Sequence, residues 1–121
     1  MKARLVVLGV AATLICFGLH ANAQDGTNAA ILQKALVAVA KGSCPADLMS
    51  PLLRGTCEQQ MPNMGQVIAQ KGAITKAEFM GTQQTAMGPA EVYRVHFANG
   101  PMMWMINTGP DGKIVVLWTP G

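Results

Sequence analysis

The sequence predicts an α+β fold in which N-terminal helices pack on one face of a four-stranded antiparallel meander. Three observations carry that prediction. Apolar residues recur at helical spacing between residues 29 and 71, the spacing changes to alternation after residue 73, and two glycine-containing turns divide the alternating part into strands. Helices that precede strands, without interleaving, favour segregated layers.

The first 23 residues read as an export signal and not as part of the fold. Lys2 and Arg4 precede an apolar run over residues 5–19, and Ala21-Asn22-Ala23 is a small-x-small cleavage site, so the mature chain is expected to begin at Gln24. The run is about five residues short of a comfortable membrane span, and no transmembrane segment is expected after signal removal. Cys16 follows Ile15, where a lipidation motif wants a small residue, which argues against a lipid anchor. The expected location is the periplasm or the exterior.

Signal removal also rewrites the charge. The mature chain keeps seven Lys and Arg against six Asp and Glu, a net charge of +1, so the basic balance of the precursor comes mostly from the discarded segment. Nucleic acid is not an expected partner, because it needs clustered basic side chains. The 98 residues from 24 to 121 suffice for one domain. A domain of this size gains from a staple, and Cys44 and Cys57, the two cysteines left in an oxidising compartment, are expected to form a disulfide. Twelve intervening residues match neither a redox CxxC nor a metal spacing.

In chain order, Thr27 or Asn28 is placed to cap a helix over residues 29–41 that buries Leu32, Leu36 and Val39 and stops at Gly42, with Lys41 near the C-terminal carbonyls. Residues 42–50 form an irregular connector. Ser50-Pro51 starts a second helix: serine accepts from an early amide, and proline at the first helical position loses only a donor that had no partner. Leu52 and Leu53 open its buried side, Gly55 weakens it, and Pro62 breaks it. A short third helix over residues 63–71 is expected to bury Val67 and Ile68 and to end at Gly72. A strand follows with Ala77 and Phe79 on one side and Lys76, Glu78 and Met80 on the other, and residues 81–89 read as a mobile connection.

Residues 90–119 then form three strands. Asn99-Gly100 suits a two-residue type I′ turn, which pairs Phe97 with Met102, His96 with Met103, Val95 with Trp104, Arg94 with Met105 and Tyr93 with Ile106. Gly109-Pro110-Asp111-Gly112 suits a type I turn closed by a left-handed glycine, pairing Met105 with Leu117, Trp104 with Trp118 and Ile106 with Val116. Alternation then puts Tyr93, Val95, Phe97, Trp104, Ile106, Ile114, Val116 and Trp118 on the face toward the helices. The opposite face carries Val92, Arg94, His96, Met103, Met105, Asn107, Val115 and Leu117.

The stretches Met49-Ser50-Pro51-Leu52-Leu53, Gly72-Ala73-Ile74, Phe79-Met80-Gly81, Val92-Tyr93-Arg94-Val95-His96-Phe97, Asn99-Gly100, Trp104-Met105-Ile106 and Asp111-Gly112-Lys113-Ile114 together resemble a small domain of exported bacterial proteins. That domain is similar to NTF2-like and cystatin-like α+β folds, and it also occurs appended to secreted β-lactamase-like serine hydrolases. The resemblance spans residues 42–120 and rests on turns and core positions. It implies a fold and carries over no catalytic residue; the two cysteines are an addition to its pattern.

Function is read from what remains. Nucleophilic catalysis needs a His with a nucleophile in reach and a third group to orient it. His96 is the only mature histidine, and no Gly-x-Ser-x-Gly elbow is present. The resemblance admits an NTF2-like small-molecule-binding or enzymatic cavity between helices and sheet, which needs a buried carboxyl. Glu78, Glu91 and Asp111 are expected outward or in turns, and the inward Tyr93 reads as core. Eight mature methionines admit a Cu(I)-type soft-metal site of His96, Met103 and Met105, with Met61-x-x-Met64 as a second cluster, but thioethers are equally adaptable core filler. No cofactor is expected. The preferred expectation is a non-enzymatic interaction module whose open sheet face meets a second copy or another exported protein.

Overall fold

The computed structural model describes residues 26–121, so the export signal and its cleavage after Ala23 lie outside the described residues. Three helices, α1 (Ala29–Ala40), α2 (Pro51–Gln60) and α3 (Asn63–Lys71), precede four strands, β1 (Ile74–Thr85), β2 (Gly88–Phe97), β3 (Gly100–Thr108) and β4 (Ile114–Trp118). The strands form an open antiparallel sheet in the order β1-β2-β3-β4, the expected α+β meander.

α1 buries Leu32, Ala35, Leu36 and Val39, a stripe at the three- and four-residue spacing of one helical face. α2 starts as its sequence dictates: the Ser50 hydroxyl accepts from the Leu53 amide at 3.3 Å, and Pro51 occupies the first turn. Its inward face is Leu53 and Cys57, four residues apart. Leu52, expected to be buried, lies about 100° around the helix from Leu53 and is 81% exposed. α3 repeats the correction. Gly65 and Ile68 face inward, and Val67 is turned to solvent.

Gly65 is where α3 meets α1. A Cβ there would sit 2.9 Å from the Val39 carbonyl oxygen and 3.1 Å from the Met61 sulfur, whereas a Cβ at Gly55 in α2 would meet nothing within 4 Å. The two glycines should therefore respond oppositely to one substitution. Gly55→Ala should stabilise by up to about 1 kcal/mol, the helix-propensity gain. Gly65→Ala should destabilise by about 1 kcal/mol, because overpacking against a backbone atom outweighs that gain. Urea denaturation of both variants checks the pair, and equal effects would refute the close-approach argument.

Cys44 and Cys57 are joined, as expected, with Cα atoms 6.1 Å apart. The connector before α2 also touches the sheet: the Ile114 amide donates to the Leu48 carbonyl and the Ser50 amide to the Ile114 carbonyl, a short parallel bridge on the outer edge of β4.

The sheet departs from expectation in three places. Residues 81–89 are not a connection. β1 continues to Thr85 and a tight turn at Ala86 and Met87 leads into β2. The Thr85 hydroxyl ties this turn, accepting from the Met87 amide and donating to the Gly88 carbonyl. Pro89 is tolerated because it lies beyond the last β2–β3 pair, Glu91 with Ile106, where its missing N–H removes no ladder bond.

The second departure is the β2–β3 register, shifted by two residues from the expected one. The turn is Ala98-Asn99, Phe97 pairs with Gly100, and Tyr93 pairs with Trp104, not with Ile106. Pro101 explains it. A turn at Asn99-Gly100 would require the Pro101 nitrogen to donate to Ala98, and proline has no donor. In the observed register Gly100 closes the hairpin with φ of +118°, a conformation reserved for glycine, and Pro101 falls at a pair that exchanges no hydrogen bonds. A shift of two preserves the faces, so Tyr93, Val95, Phe97, Trp104 and Ile106 all remain in the core.

The third departure does change faces. The turn before β4 forms as expected, with the Gly112 amide donating to the Gly109 carbonyl. However, Thr108 pairs with Ile114 and Asn107 with Val116, leaving Val115 as a bulge residue. Ile114 keeps its core position, while Val116 and Trp118 move to the outer face and Leu117 turns inward against the core. Trp118 is consequently 55% exposed.

Candidate functional site

Three places on the molecule have the makings of a site, and each follows from the register. The first is the sheet face away from the helices. Val92, Arg94, His96, Met103, Met105 and Asn107 share it, as the sequence implies, joined by Val116 and Trp118; Leu117 does not belong to it, and Val115 stands at its bulge. Met105 is nearly buried yet lies outside the helix-side core, flanked in register by Val92 and Trp118. The apolar part of this face is thus on the β3–β4 side. The β1–β2 side is polar: Glu78 lies opposite Arg94, and His96 Nε2 donates to Glu78 Oε1 at 2.9 Å. That hydrogen bond, opposed by partial desolvation and helped by Lys76 and Arg94, holds the Glu78 carboxyl below its ordinary pKa. Asn107 is occupied with the hairpin tip, donating to the Met87 carbonyl at 2.9 Å.

The same register takes the copper reading apart. His96 stands opposite Pro101 instead of Met103, Met103 stands opposite Arg94, and Met105 is nearly buried opposite Val92. Met61 and Met64 line separate hollows. No group of three or more His, Cys, Asp or Glu side chains converges among the described residues.

The second place is Glu91, which the sequence reading set outward. It lies in phase with Tyr93 on the helix side, and that phase was legible in the alternation Glu91, Tyr93, Val95, Phe97. Its carboxylate receives the start of α1: the Thr27 amide at 2.9 Å, the Asn28 amide at 2.9 Å, the Thr27 hydroxyl at 3.1 Å and the Tyr93 hydroxyl at 2.7 Å. Asn28 makes no side-chain cap, nor does Thr27; the cap comes from a strand more than sixty residues away. Burial opposes ionisation of Glu91, but the hydrogen bonds from Tyr93, Thr27 and Asn28 outweigh it and hold the pKa below the ordinary carboxylate value. Burial, then the Glu91 carboxylate, pushes the Tyr93 hydroxyl up, so it stays a donor. Every member is satisfied and Tyr93 is fully buried against Phe79, which makes this a structural clasp and not an open acid/base site.

The third place is a cleft of about 230 Å³ between the helices and the β3–β4 side of the sheet. Leu36, Val39, Met49, Leu53 and Ile68 wall it from the helical layer, Trp104, Leu117 and the edge residue Trp118 from the sheet, and Thr56, Gln60 and Thr119 supply polar groups. The cleft lies on the helix side of the sheet, where Trp104 is the cross-strand partner of Tyr93, and its lining holds no carboxyl. A run of five apolar residues in β4 hides the parity that turns Leu117 into it. No protein-family model matches the chain, and no curated protein or solved structure does. No helix among the described residues is long and apolar enough to cross a membrane.

Proposed function

We propose that this chain is an exported, non-enzymatic interaction module of the NTF2-like or cystatin-like type that self-associates through its outer sheet face. The observation that carries the reading is Trp118, more than half exposed on a face whose neighbouring residues, Val92, Met105 and Val116, are apolar. Exposed aromatic and methionine side chains gathered on one face are the usual mark of a partner. A second copy suits the polar border, because Lys76, Glu78 and Arg94 supply both signs of charge and can complement themselves across a two-fold axis. Addition along β1 is less suitable, since bulges at Thr75 and Met80 and the charge of Lys76 protect that edge. The disulfide is compatible with an oxidising compartment, which supports export.

The test is native mass. Wild-type protein without its signal should sediment as a dimer at micromolar concentration, and Met103→Glu should sediment as a folded monomer with unchanged circular dichroism. A monomeric wild type, or a Met103→Glu variant that remains dimeric, would overturn the self-association.

A further inference from the structure

We propose that Asn99 is a site of spontaneous deamidation, and that its conversion to aspartate or isoaspartate releases the β2–β3 hairpin tip from the end of α3. The proposal goes beyond the sheet-face reading and does not depend on it. Asn99 is the only asparagine in the sequence followed by glycine. It is exposed at the hairpin tip, and Gly100, with φ of +118°, puts no side chain between its own amide nitrogen and the Asn99 side chain. Nucleophile, electrophile and solvent are thus together. In the reaction, the Gly100 amide nitrogen attacks the Asn99 side-chain carbonyl carbon and loses its proton, the bond from that carbon to Nδ2 breaks, and ammonia leaves. Water then opens the five-membered imide at either carbonyl, giving aspartate or isoaspartate.

The folded protein holds both reactants back. Asn99 Nδ2 donates to the Gln70 carbonyl at 2.9 Å, and the Asn99 and Ala98 amides donate to the carbonyls of Lys71 and Ala73, each at 2.9 Å. Gln70 and Lys71 belong to the last turn of α3, where carbonyls have no intrahelical partner, so the hairpin tip caps the helix. Because Pro101 sits at a pair without hydrogen bonds, Phe97–Gly100 is the pair that exchanges them, which occupies the Gly100 amide. Reaction therefore proceeds from molecules whose tip has opened locally, and its rate reports that opening.

The product docks less well. A carboxylate offers no donor to the Gln70 carbonyl and places negative charge at the negative end of the α3 dipole. Lys71 Nζ lies beside Gly100, 3.4 Å from where a Cβ would sit, but an exposed ion pair with it is worth little. Isoaspartate also routes the main chain through the former side chain, lengthening a turn that spans only Ala98 and Asn99.

Peptide mapping of protein kept in mildly alkaline buffer tests the site, since each event adds about 1 Da, and isoaspartyl methyltransferase labelling identifies the isoaspartate product. Asn99 should convert while Asn28, Asn63 and Asn107 stay intact. Conversion should run roughly tenfold faster in the guanidinium-unfolded chain, as expected when the hydrogen bonds that dock the tip are lost. Asn99→Asp should accelerate amide exchange at positions 98 and 99 and leave exchange at Val95 and Ile106 unchanged. An Asn99 that stays intact while the unfolded chain converts completely would overturn the site. Equal rates in the two states would overturn the protection by docking, and unchanged exchange at positions 98 and 99 in Asn99→Asp would overturn the release.

Discussion

Replacing both Cys44 and Cys57 with alanine is expected to remove about 3 kcal/mol of stability, the chain-entropy value for closing a loop of this length, here a separation of 13 residues. The loss should be concentrated in α2. That helix has no fully buried residue, and its fixings are the Ser50 cap, the partial burial of Leu53 and the disulfide itself. α1, by contrast, buries four residues and should hold. Amide exchange should therefore accelerate across residues 51–60 well before it does in α1 or β2, through local opening below the global free energy. Guanidinium denaturation gives the total and hydrogen exchange gives the distribution. A loss under about 1 kcal/mol, or exchange that rises uniformly, would show that α2 is held by packing and not by the bridge.

That dependence follows from residues legible in the sequence, and the same is true of most of the fold. Ser50-Pro51, the apolar stripes of α1, the break at Pro62 and the pair of cysteines each carry a local physical reason strong enough to survive tertiary context. What was not legible is where two local signals compete. Asn99-Gly100 is a strong turn signal, but Pro101 beside it forbids the ladder bond that turn requires, and the proline decides the register. Leu52 beside Leu53 and Val67 beside Ile68 pose a similar choice. Adjacent residues on a helix point about 100° apart, so where the contact face is narrow, as in α2 and α3, partners elsewhere in the chain settle which of the two is buried.

The candidate site was less legible for a related reason. A single bulge at Val115 exchanges the faces of Val116, Leu117 and Trp118, and a run without polar residues offers no alternation from which to detect it. The outer face therefore gained a tryptophan and lost a leucine, and the cleft gained that leucine as a wall. Glu91 was different, because its phase with Tyr93 was visible. Its carboxyl suggested solvent, while the pairing that makes burial tolerable lies in Thr27 and Asn28, distant in sequence.

Glu91 should accordingly report itself through pH. Its folded-state pKa lies below the ordinary value of 4.5, so the carboxylate stabilises the fold at every pH above that value, and the contribution is lost as pH falls through the folded pKa. Glu91→Gln keeps the shape but presents an amide to donors, and removes the charge from the start of α1. It should lower stability by about 2 kcal/mol at pH 7, the value for one charged hydrogen bond with the surface contacts to Thr27 discounted for solvent screening. Below about pH 4.5 the wild type should begin to lose this advantage, so the two denaturation midpoints should converge as pH falls through the folded-state pKa. Glu78→Gln is the control: its carboxyl is also depressed, but it is solvent-exposed, and its effect should be small at every pH. Tyr93→Phe should be coupled to Glu91→Gln in a double-mutant cycle, because the hydroxyl donates directly to the carboxylate. A wild-type advantage that stays constant from pH 7 to pH 3 would mean that Glu91 holds α1 by shape and not by charge.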